Sequence, residues 1–117
     1  MKTIVLSAVL GLAALGAAAT ATSAAESPRV VEITAKRFQF TPAEVHLKAG
    51  ETVVLRLTTE DTTHGFLSKA LGFDEDIPPG DPVDITLTPK TPGTYPVICD
   101  HFCGKGHGNM KLAIVVE

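Results

Sequence analysis

The 117-residue chain has no tryptophan, one tyrosine and two cysteines, and aromatic residues make up only 5% of it. It also lacks a basic run: 10 Lys and Arg stand against 13 Asp and Glu, for a formal charge of −3. With nothing to neutralise a phosphate backbone or an anionic lipid surface, nucleic-acid binding is excluded. No Gly-x-Ser-x-Gly elbow is present, which removes the commonest signature of a serine hydrolase, and Thr62 and Thr63 read simply as strand-end residues. A sustained apolar pattern with a helical period is missing beyond the first 25 residues as well, so no amphipathic helix is expected there.

The first 25 residues are of a different kind. Lys2 precedes an uncharged apolar run from Ile4 to Ala19, and Ala19-Thr20-Ala21 and Ser23-Ala24-Ala25 offer small-residue cleavage sites. This is the pattern of a secretory signal peptide over 1–25, leaving one domain over 26–117 in a periplasmic or secreted location. An uncleaved anchor is the rival reading, but the run falls short of the ~20 apolar residues a membrane span needs. No cysteine follows the leader closely, which argues against a lipoprotein. A domain of this size buries only ~60–65% of its unfolded surface, and small secreted domains often add a staple or a metal.

The remaining chain reads as all-β. Val53, Leu55 and Leu57 alternate with Arg56 and Thr58, and Val83, Ile85 and Leu87 alternate with Asp84 and Thr86, the period-two pattern of half-buried strands. Val31 and Ile33, Glu44 to Leu47, Thr94 to Cys99 and Lys111 to Val116 supply further strands. Pro89 and Pro92-Gly93 punctuate the connections. The stretch from Leu67 to Pro82, with Pro78, Pro79 and Pro82 and the acids Asp74, Glu75 and Asp76, reads as a surface loop or a weak, short element. About seven short strands in one domain predict a Greek-key sandwich or small barrel.

Chemistry concentrates in one place. Beyond Met1, every sulfur of the chain lies in the 12-residue stretch Cys99-Asp100-His101-Phe102-Cys103-Gly104-Lys105-Gly106-His107-Gly108-Asn109-Met110. Its three glycines disfavour a regular helix by ~1 kcal/mol each and let the backbone wrap. Two thiols, an imidazole and a thioether are soft and borderline donors, which select copper over magnesium, calcium or manganese. A plain disulfide is the simpler reading of two cysteines in a secreted chain. However, a ring enclosing three residues constrains the unfolded chain little, and a staple has no need of His107 and Met110 beside it. One more donor must come from outside the stretch, and His64, placed just after a strand and before Gly65, is the candidate. His46, inside a short strand, reads as a surface or sheet-face residue. A mononuclear type 1 or red-copper site built from His64, one cysteine, His107 and Met110 also satisfies the spacing.

Thr63-His64-Gly65-Phe66, Pro92-Gly93-Thr94-Tyr95 and the run from Cys99 to Met110 resemble the binuclear purple-copper (CuA) domain of cytochrome c oxidase subunit II, a member of the cupredoxins. The resemblance extends from about Val30 to Glu117. It implies a cupredoxin-like Greek-key β-sandwich in which Cys99 and Cys103 bridge two copper ions. It further implies that His64 and His107 each cap one copper, and that Met110 and the backbone carbonyl of His101 are weak axial donors. The implied function is single-electron transfer by a soluble periplasmic copper protein with no catalysis of its own. Its partners would be redox proteins such as a c-type cytochrome or a terminal oxidase or reductase, and it would be a monomer with no membrane contact after leader cleavage. A copper carrier or chaperone is the alternative use of the same ligands. The sequence departs from the family in three ways. A leader stands where oxidase subunit II has transmembrane helices, tryptophan is absent, and His101 occupies the place where a carboxylate commonly stands between the cysteines. An acidic docking patch for a basic cytochrome could be drawn from Asp74, Glu75, Asp76, Asp81 and Asp84.

Overall fold

A computed structural model of the chain describes Gly11, residues 27–102 and residues 107–117, with His107 described in its backbone only. The signal peptide expected over 1–25 therefore lies outside the described residues, apart from Gly11. Among those residues no helix is long and apolar enough to cross a membrane.

Among the described residues nine strands form two sheets. They are β1 (Arg29–Lys36), β2 (Gln39–Thr41), β3 (Glu44–Leu47), β4 (Val53–Thr59), β5 (His64–Ser68), β6 (Phe73–Ile77), β7 (Val83–Leu87), β8 (Gly93–Ile98) and β9 (Lys111–Val116). A 3₁₀ turn, His107–Asn109, precedes β9. One sheet has the order β2-β1-β4-β7 and the other β3-β9-β8-β5-β6. Two pairings are parallel, β1 with β4 and β3 with β9, and the rest are antiparallel. This is the all-β sandwich that the alternation predicts.

The alternating residues turn inward as the period requires. Val53, Leu55 and Leu57 of β4 and Ile33 and Ala35 of β1 are fully buried, and from the facing sheet Phe66, Ile77, Val97 and Ile114 meet them in one core. Phe66 is central: its ring meets Phe40 edge to face at 5.4 Å and stacks on Phe73 at 5.4 Å, arrangements that aromatic quadrupoles favour. Ile114 lies on β9 with no exposure. Ile114→Val is expected to lower stability by about 0.5–1.5 kcal/mol, the transfer and cavity cost of one methyl group, with the fold unchanged. Chemical denaturation would check it through a shifted midpoint at constant slope.

The stretch read as a surface loop or a weak element holds a strand. β6 pairs with β5 over five residues, from His64 opposite Ile77 to Ser68 opposite Phe73. Ile77 is buried and Phe73 half-buried, while Asp74, Glu75 and Asp76 are exposed on a strand that ends its sheet, where charge discourages further pairing. The prolines flank this strand without interrupting it. Two further strands, β2 and β5, bring the number above the seven anticipated. His46 is exposed on β3, its ring nitrogens 3.0 Å from Glu44 Oε1 and 3.1 Å from Glu117 Oε1, as a sheet-face residue should be.

The register of β8 and β9 prepares the site. Ile98 stands opposite Lys111, and the Cys99 N–H donates to the Met110 carbonyl at 3.1 Å. Cys99 and Met110 thus stand side by side where the β8–β9 connection leaves and rejoins the sheet. Leu67 of β5 stands opposite Ile98 of β8, which brings the start of β5 beside the start of that connection.

Candidate metal centre

His64 is the first residue of β5 rather than a residue trailing β4, and its side chain is fully buried. The strand places it because Phe66, two positions along, must enter the core, and period-two alternation carries residue 64 to the same face. Cys99 arrives from the end of β8, where Val97 is likewise drawn inward. Cys99 is 3% exposed and its Sγ lies 3.9 Å from His64 Nδ1. Met110, 1% exposed, closes the far end of the loop next to Cys99 through the backbone bond described above.

Two further groups converge on the sulfur. The Gly65 N–H donates to Cys99 Sγ at 3.3 Å, and the thiol points at the His101 carbonyl oxygen at 3.2 Å. The carbonyl of His101 thus stands beside Cys99, where the resemblance expects it, while the residue as a whole is exposed. Gly65 is required here by space. A Cβ at this position would overlap the Asp100 carboxylate and fall 2.7 Å from the His101 backbone nitrogen and 2.8 Å from that of Asp100. Cys103 and the His107 side chain lie outside the described residues. Among the described residues no group of three or more His, Cys, Asp or Glu is gathered closely enough to hold a metal by itself. His64, Cys99, Met110 and the His101 carbonyl are the predicted donors that the described structure brings to one end of the sandwich.

This arrangement fits a metal ion. With bonds of about 2.0 Å to imidazole nitrogen and about 2.3 Å to thiolate sulfur, a first-row metal held between one of each needs a nitrogen–sulfur separation somewhat under their sum, and 3.9 Å meets that condition. The thiol and the buried methionine are soft donors and the imidazole a borderline one, a combination suited to copper, with the carbonyl as an additional oxygen donor.

Two carboxylates near the site were not singled out from the sequence. Asp61 sits in the β4–β5 connection with Oδ1 2.7 Å from His64 Nε2. Burial pushes its carboxyl up, but hydrogen bonds from the Arg37 N–H, from His64 and from the Thr62 N–H outweigh this and hold it well below the ordinary carboxylate range. An acid three residues before a candidate ligand, in Asp61-Thr62-Thr63-His64, was the available signal. Asp100, next to Cys99, is pushed up by burial, by a hydrogen bond with Asp74 and by the charges of Asp74 and Asp76. Of the acids drawn into a docking patch, Asp74 and Asp76 thus flank the metal loop, whereas Asp84 pairs with Arg56 at 3.0 Å on the opposite sheet.

Comparison with known proteins agrees with this geometry. Residues 6–112 match the cupredoxin-like domain family. The chain is 33% identical over 87 residues to cytochrome c oxidase subunit 2 of Thermus thermophilus, an alignment covering 74% of this chain and 64% of the relative. It is 33% identical over 91 residues to nitrous-oxide reductase of Cupriavidus necator, covering 74% of this chain and 14% of that enzyme. The chain therefore spans less than two thirds of the length of either relative. In three dimensions it superimposes on the periplasmic domain of subunit II of cytochrome oxidase of Bradyrhizobium japonicum with a TM-score of 0.72, at 19% identity, covering 79% of this chain and 86% of that one. With two sheets packed as a sandwich, Cys99 and Met110 paired at one end of it and a family match over nearly its whole length, this chain belongs to the cupredoxin-like domain family.

Proposed function

We propose that the chain is a periplasmic electron-transfer protein that holds copper, and that its centre is binuclear. In this reading Cys99 and Cys103 would supply thiolates shared by two copper ions, His64 and His107 would supply one imidazole to each, and Met110 and the His101 carbonyl would be weaker donors. The observation that carries the reading is the buried pair His64 Nδ1 and Cys99 Sγ at 3.9 Å, with the His101 carbonyl 3.2 Å from the same sulfur.

Copper, when bound, supplies the one-electron redox couple. The chain's own residues keep the change of charge inexpensive. His64 and Cys99 come from strands locked into one sheet by the β5–β8 and β8–β9 pairings, so their separation is set by the scaffold. Burial of both side chains excludes water, and the Gly65 N–H on the sulfur stabilises its negative charge, which tunes the potential. A site filled by protein donors offers no open position for a substrate, so the chain serves as a module for redox partners and performs no reaction of its own. A c-type cytochrome or a terminal oxidase or reductase is the partner class, a reading supported by relatives that are an oxidase subunit and a nitrous-oxide reductase.

Copper stoichiometry combined with electron paramagnetic resonance tests this. The expected result is two coppers per chain and a hyperfine pattern of one electron shared by both nuclei, retained on dialysis against a Cu(I) chelator. A pattern from a single nucleus would replace the binuclear centre with a mononuclear one. Ready loss of copper to the chelator would favour a carrier, and no binding at all would leave the cysteines as a disulfide.

A further inference from the structure

His64 is fully buried, and each of its ring nitrogens faces one defined atom: Nδ1 faces Cys99 Sγ and Nε2 faces Asp61 Oδ1 at 2.7 Å. Asp61 is itself held from two directions. Its Oδ1 also accepts the Thr62 N–H at 2.7 Å, and its Oδ2 accepts the Arg37 N–H at 2.8 Å from the connection between β1 and β2. A carboxylate oxygen that already takes backbone N–H groups has no proton to offer the ring, so the proton between Asp61 and His64 belongs to Nε2. That leaves the Nδ1 lone pair directed at Cys99.

We infer that Asp61 is the positioning residue of the metal centre, fixing His64 in the Nε2–H tautomer and anchoring its ring plane to both the β4–β5 and the β1–β2 connections. The inference rests on the reading of His64 as a ligand, and its physical basis is general: an imidazole can present a lone pair to a metal only from its unprotonated nitrogen, and an acceptor on the other nitrogen decides which one that is. The anchoring has a second consequence. Arg37 lies in the turn between two strands of the other sheet, so Asp61 ties the ring of a β5 residue to a connection of the facing sheet, and its loss would free the ring to rotate even with β5 intact.

The test begins on the metal-free wild-type protein, where nitrogen-detected NMR of the ring reads the tautomer directly. A single Nε2–H form with a downfield, hydrogen-bonded ring proton is expected, and a dominant Nδ1–H form would overturn the inference whether or not the protein binds copper. In Asp61→Ser, whose shorter side chain can still cap the Thr62 N–H but not reach the ring, that downfield proton should be lost. Asp61→Asn, which keeps an oxygen for Nε2–H, should retain it. In copper-loaded protein the serine variant should release copper to a chelator about 10–100-fold more readily, with the asparagine variant closer to wild type. A folded serine variant with the wild-type ring proton and wild-type copper retention would also overturn the assignment. If the wild type binds no copper, the proposed function fails, while the tautomer measurement still decides the role of Asp61.

Discussion

Cys99→Ser is expected to abolish the intense thiolate-to-copper absorption and to lower copper affinity by orders of magnitude, with the sandwich still folded. Serine is close to cysteine in size, so the buried position, 3% exposed, is left without a large cavity. The hydroxyl can also keep the neighbouring contacts with the Gly65 N–H and the His101 carbonyl. What changes is donor chemistry. A thiol gives up its proton to a metal readily because its ordinary pKa is about 8.5, whereas an alcohol does not, and oxygen is a poor partner for copper in its reduced state. Titration with copper, followed by visible absorption and by thermal unfolding of the metal-free form, checks both halves. Undiminished colour in a folded variant would remove Cys99 from the centre.

Gly65→Ala should damage fold and site together, for a different reason. The added methyl group would fall 2.7 Å and 2.8 Å from two backbone nitrogens, those of His101 and Asp100. The Asp100 side chain can rotate away, but backbone atoms move only if the loop after Cys99 lifts off β5. Overpacking of this kind costs about 1–3 kcal/mol. Lifting the loop also lengthens the Gly65 N–H contact to the sulfur and alters the placement of Cys99 relative to His64. A lower melting temperature is expected with an altered copper spectrum. Gly108→Ala is the matched control, because a Cβ there meets no atom within 4 Å. Equal behaviour of the two variants would show that close approach at residue 65 is unimportant.

Much of this molecule could be read along the chain, where side-chain alternation is a local property. Residues 53–57 and 83–87 announce half-buried strands because each inward residue lies two places from the next, and the structure turns those residues inward, with Val83 only partly buried. The stretch from Leu67 to Pro82 was harder. β6 carries three consecutive acids, and an edge strand tolerates them only because its neighbour β5 supplies all its pairing. Nothing local announces that neighbour. His64 reads from the sequence as a residue just after a strand, whereas it opens β5, for the same reason: β5 is short and rich in buried residues, so it shows no alternation to read.

The candidate site divides in the same way. Donor identity is a matter of residue chemistry, so Cys99, Cys103, His107 and Met110 stand out from spacing, and Gly65 from its place beside His64. By itself the sequence determined the all-β class, the concentration of sulfur in one glycine-rich loop and the softness of the donor set, since each follows from residue type and short-range period. Only the tertiary structure decided that His64 Nδ1 meets Cys99 Sγ, that Gly65 is confined by the backbone of residues 100 and 101, and that Asp61 joins the ring to the Arg37 peptide in the β1–β2 connection. Apart from the three-residue step between Asp61 and His64, those contacts join residues 24 to 36 positions apart, and strand pairing within a sheet and the approach of the two sheets, not any local preference, set their distances.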